Sequence, residues 1–298
     1  MSRYRRRRLT LLAVVLLALA GGRVLPEIRD LTLYQMTARA TLVVRARALS
    51  GSTRRPSVQV LEIYKGSFPA DRVTIVPHFE DHSSPTPWLR RETFVEGEES
   101  ILFLQPYEDT FGRDEGPATF AVLGASHGKV EVPSEGAVAL EDALRRFVLI
   151  LSMGQHDRQA EALRALLREK NPYLIEAGLD ECRKFRLAEP ADIGDLLELT
   201  SSPRPDFRAG ALDLIAQLTG EAAVTGAPQR RPDLFSRVAA AARTDAEARV
   251  RLAAVRVLAS FGDRPALALL ERLGREDPDQ AVRYESSVAA LRLRETLR

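Results

Sequence analysis

The segment Gly124-Ala125-Ser126-His127-Gly128 has the spacing of a nucleophile elbow, in which a serine attacks an ester or amide carbonyl. That chemistry requires a strand before the serine and a helix after it, so that the hydroxyl stands beside the amides that stabilise the oxyanion. Here the residues that follow, Lys129–Val132, have a strand pattern, and His156 is the only later histidine available as a base. The pattern therefore predicts a hairpin turn at Ser126. An envelope hydrolase that uses Ser126 is the less favoured alternative.

Two histidines and two carboxylates occur close together, at His78, Glu80, Asp81 and His82. Histidines four residues apart can bind one zinc ion when they share a helix face. Prolines on both sides of this segment predict a loop instead, and two histidines without a third defined ligand are an incomplete set. We therefore expect no metal and no cofactor, and His78 and His82 are the candidate ligands if a metal binds here.

The same loop carries the only tryptophan of the chain, Trp88, followed closely by Arg90 and Arg91. An aromatic side chain beside paired arginines is typical of an energetically dominant binding contact. The alternative is that Trp88 folds back over the neighbouring core. We treat the three residues as candidate interaction residues.

The N-terminal twenty residues have the form of a secretory signal. Arginines at position 3 and at positions 5–8 precede an apolar stretch, Leu9–Ala20, that ends in Ala-Leu-Ala before Gly21. The apolar stretch is well short of the ~20 residues that span a bilayer. We expect cleavage after residue 20, by the general or the twin-arginine route, and a periplasmic or secreted protein with no stable membrane span.

The charge of the remaining chain argues against a nucleic-acid partner. Residues 1–20 contain five Arg and no acid, so removing them changes the formal charge from +2 to −3. A mixed, slightly acidic surface lacks the basic footprint of nucleic-acid binding. The single cysteine, Cys182, excludes an intrachain disulfide, and its place on the apolar side of a helical pattern predicts a buried, unreactive thiol.

The first half of the mature chain has a strand period. Between residues 41 and 132, short β-branched or aliphatic runs alternate with Gly, Pro, Ser and charged residues, which predicts a small closed barrel or a sandwich. A short helix over 31–40, capped by Asp30, precedes the first run. In the run 57–64 the apolar phase changes between Val60 and Leu61, which predicts a β-bulge.

From Ala139 onward the period is helical. The same apolar spacing begins at Phe207, Val250 and Val282, and more weakly at Leu174, which predicts four stacked helix pairs after a linking helix over 138–154. Aspartates before the second helices, at positions 245 and 277, can act as caps. The interval after Phe207 contains an insertion, 220–231, whose Arg230 and Arg231 are candidate interaction residues. An inert linker explains the insertion equally well.

The turn aspartates followed by Val-Arg at the start of the second helix, in Val250-Arg251 and Val282-Arg283, resemble HEAT repeats. The resemblance covers about 155–295 and is strongest in the last two pairs. It implies a curved α-solenoid that binds other proteins along an edge or a concave face.

The strand region also resembles a known fold. TLVVRARAL, VQVLEIYKG, an isolated VTI, GEESILFLQP and FAVLGASHGKVEV, in this order, are similar to the netrin-like fold, the OB-type barrel of tissue inhibitors of metalloproteinases. Those inhibitors chelate a protease zinc ion through an N-terminal cysteine. This chain has no cysteine in that half, so the inhibitory mechanism does not carry over.

Together these patterns predict an α+β protein with two domains: a signal at 1–20, an OB or netrin-like barrel at 24–137, a linking helix at 138–154 and a HEAT-like solenoid at 155–298. The expected function is an exported, non-enzymatic protein–protein interaction module. Protease-inhibitor-like binding through the barrel is the alternative. The partner would be one or more proteins.

Overall fold

The computed structural model describes residues 31–49, 55–76, 94–107, 119–123, 128–225 and 232–298, with the side chains of 221–225 and 232 left out. A β-barrel is followed by a stack of helices, as the two periods of the sequence predict. Within these described ranges, no helix combines the length and the apolar character needed to cross a bilayer.

The strands form a closed ring. Its order is β1-β2-β3-β5-β4, and a pairing between β4 and β1 closes it. All pairs in the ring are antiparallel except β3 with β5. β6 adds to β4 outside the ring. This confirms the predicted small barrel, whose strands are β1 Leu42–Ala48, β2 Ser57–Lys65, β3 Arg72–Val76, β4 Glu99–Pro106, β5 Thr119–Val122 and β6 Lys129–Glu131.

The predicted bulge lies in β2. Along the β1–β2 pair, Ala46 faces Val60 and Arg45 faces Glu62, so Leu61 is the extra residue. A second register shift lies between Val43 and Val44 of β1. Each extra residue bends the strand, which allows a five-stranded sheet to turn and close.

A short helix, α1 (Leu33–Arg39), precedes the barrel. It begins later than the sequence predicts, because Thr32 is its N-cap and its hydroxyl accepts the Gln35 amide at 3.3 Å. The predicted cap, Asp30, lies outside the described residues. At the other end, the Lys65 ammonium donates to the carbonyls of residues 37, 38 and 40, which satisfies three carbonyls at the helix terminus.

The helical half contains a linking helix and the predicted pairs. The apolar positions that begin at Phe207, Val250 and Val282 line one continuous core with Leu196 and Leu270. Each pair covers the next, as stacked repeats require. The helices are α2 Ala137–Ser152, α3 His156–Ala165, α4 Pro172–Phe185, α5 Ile193–Leu199, α6 Pro205–Thr225, α7 Pro232–Thr244, α8 Ala248–Phe261, α9 Arg264–Glu276 and α10 Gln280–Thr296, with single 3₁₀ turns at Leu166–Arg168 and Pro190–Asp192.

The barrel and the helical stack share a packed junction. Tyr34 of α1 meets Phe147 of α2 edge to face, with ring centroids 5.4 Å apart, in a cluster that also contains Leu174 of α4. The Gln35 amide donates to Asp180 at 2.6 Å and to the buried carboxylate of Glu181 at 2.9 Å. α1 therefore joins the barrel to α4 through both apolar and polar contacts.

Candidate protein-interaction surface

Neighbouring helix pairs are joined by buried or half-buried Arg–Asp ion pairs. Arg208, at the start of α6, donates to both carboxylate oxygens of Asp245 at 2.8 and 2.9 Å. Arg251, at the equivalent position of α8, does the same to Asp277 at 2.9 and 3.0 Å. Each bond joins a second helix to the turn of the following pair. Two-point guanidinium–carboxylate contacts fix geometry as well as distance, so adjacent pairs are held in one orientation.

The same arginines also hold the turn that precedes their own helix. Nη1 of Arg208 donates to the carbonyls of residues 202 and 203, and Nη1 of Arg251 to those of 245 and 246. Arg283 of α10 repeats the contact with the carbonyls of 277 and 278. The arginine near the start of each of these second helices therefore holds its own turn, and Arg208 and Arg251 also contact the turn of the next pair.

The turn aspartates have a different role from the predicted one. Asp277 is the C-cap of α9, and the N-cap of α10 is Asp279, whose carboxylate accepts two amides at 2.8 and 3.1 Å. Asp245 likewise lies before the N-cap Glu247 and accepts its amide at 3.0 Å. Both carboxylates face the arginine of the preceding pair, which decides their orientation, so the prediction of simple helix caps was wrong.

The first helix pair uses another arginine. Arg164, on α3, donates to the fully buried carboxylate of Asp192 at 2.9 and 3.3 Å. Asp192 also accepts the Glu189 amide at 2.8 Å, which completes a capping box. The link is similar in chemistry but comes from a first helix. This explains why the sequence signature is weak in this pair.

The outward side of α6 and α8 carries a second set of ion pairs. Arg249 contacts Asp206, and Arg256 contacts Asp213, so two exposed links join equivalent positions of the two helices. At the corresponding positions α10 has Ala281 and Val288. The outward surface thus changes from charged on α6 and α8 to uncharged at these positions of α10.

An open cleft of about 420 Å³ lies beside the Arg208–Asp245 pair. It lies just beyond the C-terminal end of the 7-residue α5 and beside the C-terminal half of the 13-residue α7. Its lining combines hydroxyls with charged groups, among them Thr200, Ser201, Arg208, Arg237, Thr244 and Asp245. Such a cleft can accept a polar side chain or a peptide carbonyl of a partner protein.

The only cysteine of the chain lies in the core of the helical half. Cys182 is fully buried on α4, and desolvation raises the pKa of its thiol to about 12. A thiol with so high a pKa carries almost no thiolate at neutral pH. The burial of Cys182 in the helical core confirms its predicted position.

The residues singled out in the sequence as site candidates lie outside the described residues, so their roles stay predictions. They are Ser126, His78, His82, Trp88, Arg90, Arg91, Arg230 and Arg231. Within the described part of the chain, no three His, Cys, Asp or Glu side chains are grouped to hold a metal ion.

The insertion before α7, 220–231, is helical in its first part. α6 continues through Gly220 to Thr225. A glycine inside a helix costs only about 1 kcal/mol, and Glu221, Ala222 and Ala223 are good helix formers, so the helix extends past it.

Comparison with known families found a similarity over the last three helix pairs. A family model described as HEAT repeats matches residues 193–292. The match begins at α5 and ends inside α10, so it covers every pair linked by the Arg208 and Arg251 contacts. Comparisons with curated proteins and with solved structures gave no match. The HEAT-like pairs are therefore the part of the chain where the structure and a family model agree.

Proposed function

We propose that this protein is an exported, non-enzymatic interaction module that binds another protein on its HEAT-like helices. The observation that carries the proposal is the chain of Arg–Asp pairs, Arg208–Asp245 and Arg251–Asp277, which fixes adjacent helices. A surface that is already ordered loses little conformational entropy on binding, so more of the contact energy is available for affinity. The match to HEAT repeats supports the same role.

The binding face in this proposal is the outward side of α6 and α8 together with the cleft beside Asp245. Exposed charged pairs contribute little to folding, so Arg249 and Arg256 are available for recognition. The predicted interaction residues Arg230 and Arg231 follow α6 in the sequence, and we include them in the test of this proposal. The physiological site is the periplasm or the exterior, reached after removal of residues 1–20.

The test is crosslinking and mass spectrometry on the full protein in its native compartment. We expect the double variant Arg249→Glu and Arg256→Glu to lose specific crosslinked partners while its circular dichroism stays that of the wild type. Arg272→Glu, at an exposed ion pair on α9, is the matched control and should keep them. A second double variant, Arg230→Ala with Arg231→Ala, tests the insertion in the same way. If all of these variants capture the same partners as the wild type, this face is not the binding site.

The barrel offers a second candidate binding surface. Leu61 and Ile63 of β2 remain exposed, at 39% and 38%, beyond the three residues of β2 that pair with β3. Together they form a small apolar patch on one strand that a partner protein can cover. Inhibition of secreted metalloproteases by the full chain, abolished in Leu61→Asp, would support the alternative role as a protease inhibitor. Absence of inhibition by the wild type would remove it.

A further inference from the structure

The outward face of α10 differs from the equivalent face of the preceding second helix. Tyr284 and Leu291 are exposed at 66% and 58%, and Ser287 between them is also exposed. At the same positions α8 has Leu252, Val255 and Ala259, of which Val255 is buried and the others are half-buried. In the described residues, no element covers Tyr284 or Leu291, and α9 borders this face of α10 at Ser287, which lies against Gly274.

The stripe continues along the whole helix. Its members recur at spacings of three and four residues and share one face, which contains Gln280, Tyr284, Ser287, Val288, Leu291 and Glu295. α10 has 17 residues, a length of ~26 Å, so the stripe is long enough to pack against a second helix. The two compact side chains at its centre, Ser287 and the half-buried Val288, permit close approach, and one large apolar side chain lies on each side of them.

We propose that this face binds the same face of a second copy of this chain, in an antiparallel pair centred between Ser287 and Val288. A two-fold axis at that point places Tyr284 against Leu291 of the second copy, and Leu291 against its Tyr284. The same axis places Gln280 opposite Glu295 of the second copy, so an amide donor meets a carboxylate at both ends. Isologous pairing of this kind closes on itself and stops at a dimer.

Charge complementarity along one edge of the stripe supports a second copy as the occupant. Glu285 and Arg292 are both exposed and lie on the same side of the stripe, seven residues apart. The proposed axis brings Glu285 beside Arg292 of the second copy, with their Cα atoms offset by only ~3 Å along the helix direction. The symmetry repeats this contact, so two oppositely charged pairs flank the apolar centre.

Charge also selects the antiparallel direction. In a parallel pair Glu295 would lie opposite Glu295 of the second copy, and like charges placed opposite each other destabilise an interface. The antiparallel pair avoids that contact and gives each carboxylate a donor. One helix pair buries less surface than the ~1,000 Å² typical of stable interfaces, so we expect a reversible dimer with micromolar or weaker affinity.

Sedimentation velocity on the full protein, up to high micromolar concentration, tests the dimer. We expect concentration-dependent dimerisation of the wild type and weakening by ~30-fold or more in Leu291→Glu, because the axis places each altered contact twice. Leu149→Glu is the matched control, since Leu149 on α2 is 51% exposed and lies at the other end of the helical stack. It should leave the dimer unchanged. A monomeric wild type, or equal loss in both variants, would overturn the proposal, and equal loss would point to head-to-tail stacking.

A charge exchange tests the flanking pairs by the same measurement. Glu285→Arg places two arginines beside each other at both ends of the interface and should weaken the dimer several-fold. Adding Arg292→Glu restores opposite charges across the axis and should recover most of the loss. A double variant as weak as the single one would contradict the antiparallel register.

Disulfide trapping gives an independent test of the axis. Cys182 is buried, so it supplies no background crosslink. Ser287→Cys lies next to the axis and should form a covalent dimer on mild oxidation. Ser152→Cys, at the end of α2, should not. A crosslink at position 152, or none at 287, contradicts the antiparallel pair, and neither result depends on the partner-binding function proposed above.

Discussion

Arg251 and Asp277 form a buried two-point ion pair that joins the second helix of one repeat to the turn of the next. Their side chains are only 8% and 3% exposed. The remaining guanidinium nitrogen of Arg251, Nη1, donates to the carbonyls of Asp245 and Ala246. The contact thus links two turns and one helix at a single point.

Removing the arginine should be costly. We expect Arg251→Ala to lower the free energy of unfolding by about 3–5 kcal/mol, because it leaves the Asp277 carboxylate buried without its ionic partner. Arg256→Ala, at an exposed pair, should cost no more than about 1 kcal/mol. Urea unfolding followed by circular dichroism measures both. Equal effects of the two variants would contradict the buried-pair interpretation.

Acid should weaken the Arg208–Asp245 link. Burial alone would raise the pKa of Asp245, but hydrogen bonds from Arg208 and from the Glu247 amide outweigh it and hold the pKa below its usual value. The stabilisation is therefore complete above the ordinary carboxyl pKa of about 3.9 and is lost as the pH falls through the lowered folded-state pKa. The difference in unfolding free energy between wild type and Asp245→Asn should be large at pH 6 and shrink steadily below about pH 4. A constant difference would show that the charge is not involved.

Replacing Ser286 should increase the stability of the folded protein. Its side chain is fully buried, and its hydroxyl has no hydrogen-bond partner among the described residues. The equivalent positions of α6 and α8 are Ala211 and Ala254, both fully buried. Ser286→Ala should raise the thermal midpoint and the free energy of unfolding by about 1 kcal/mol, since it removes an unpaired polar group. A loss of stability in Ser286→Ala would instead show that the Ser286 hydroxyl has a hydrogen-bond partner in the folded protein.

Gly66 is required by both backbone and space. Its φ is +83°, and a Cβ there would approach the Thr41 carbonyl oxygen to 2.6 Å. Gly97 has nearly the same φ, +82°, with no atom within 4 Å of an added Cβ among the described residues. Gly97→Ala should cost only the strain of the left-handed backbone, about 1 kcal/mol, and Gly66→Ala about 1–3 kcal/mol more. Thermal unfolding of the two variants separates the cost of backbone strain from the cost of the steric contact. Equal losses of stability in the two variants would contradict the steric requirement at Gly66.

Export is tested by the N-terminus of the protein purified from its native host. We expect sequencing to begin at Gly21, because Ala-Leu-Ala at 18–20 fits the small-residue cleavage motif. Replacing Ala18 and Ala20 by bulky residues should leave the precursor uncleaved. A wild-type protein that still begins at Met1 would contradict the prediction of a cleaved secretory signal.

Local sequence patterns were enough to predict the structural features that depend on residues close together in the chain. The phase change at Leu61 predicted the bulge, and the helical spacing from Phe207, Val250 and Val282 predicted which positions are buried. Strand alternation and helix periodicity are properties of a few consecutive residues, so they are readable without knowing what lies opposite. The Asp and Val-Arg signature indicated the repeats for the same reason.

The tertiary structure decided which groups meet across the chain. Asp245 and Asp277 look like helix caps in the sequence, yet their carboxylates take arginines that lie 37 and 26 residues away. Closure of the barrel by β1 with β4, and the contact of Gln35 with Asp180, are likewise long-range pairings. Such contacts form only when several elements pack at once, because each alone buries too little surface to offset its conformational entropy.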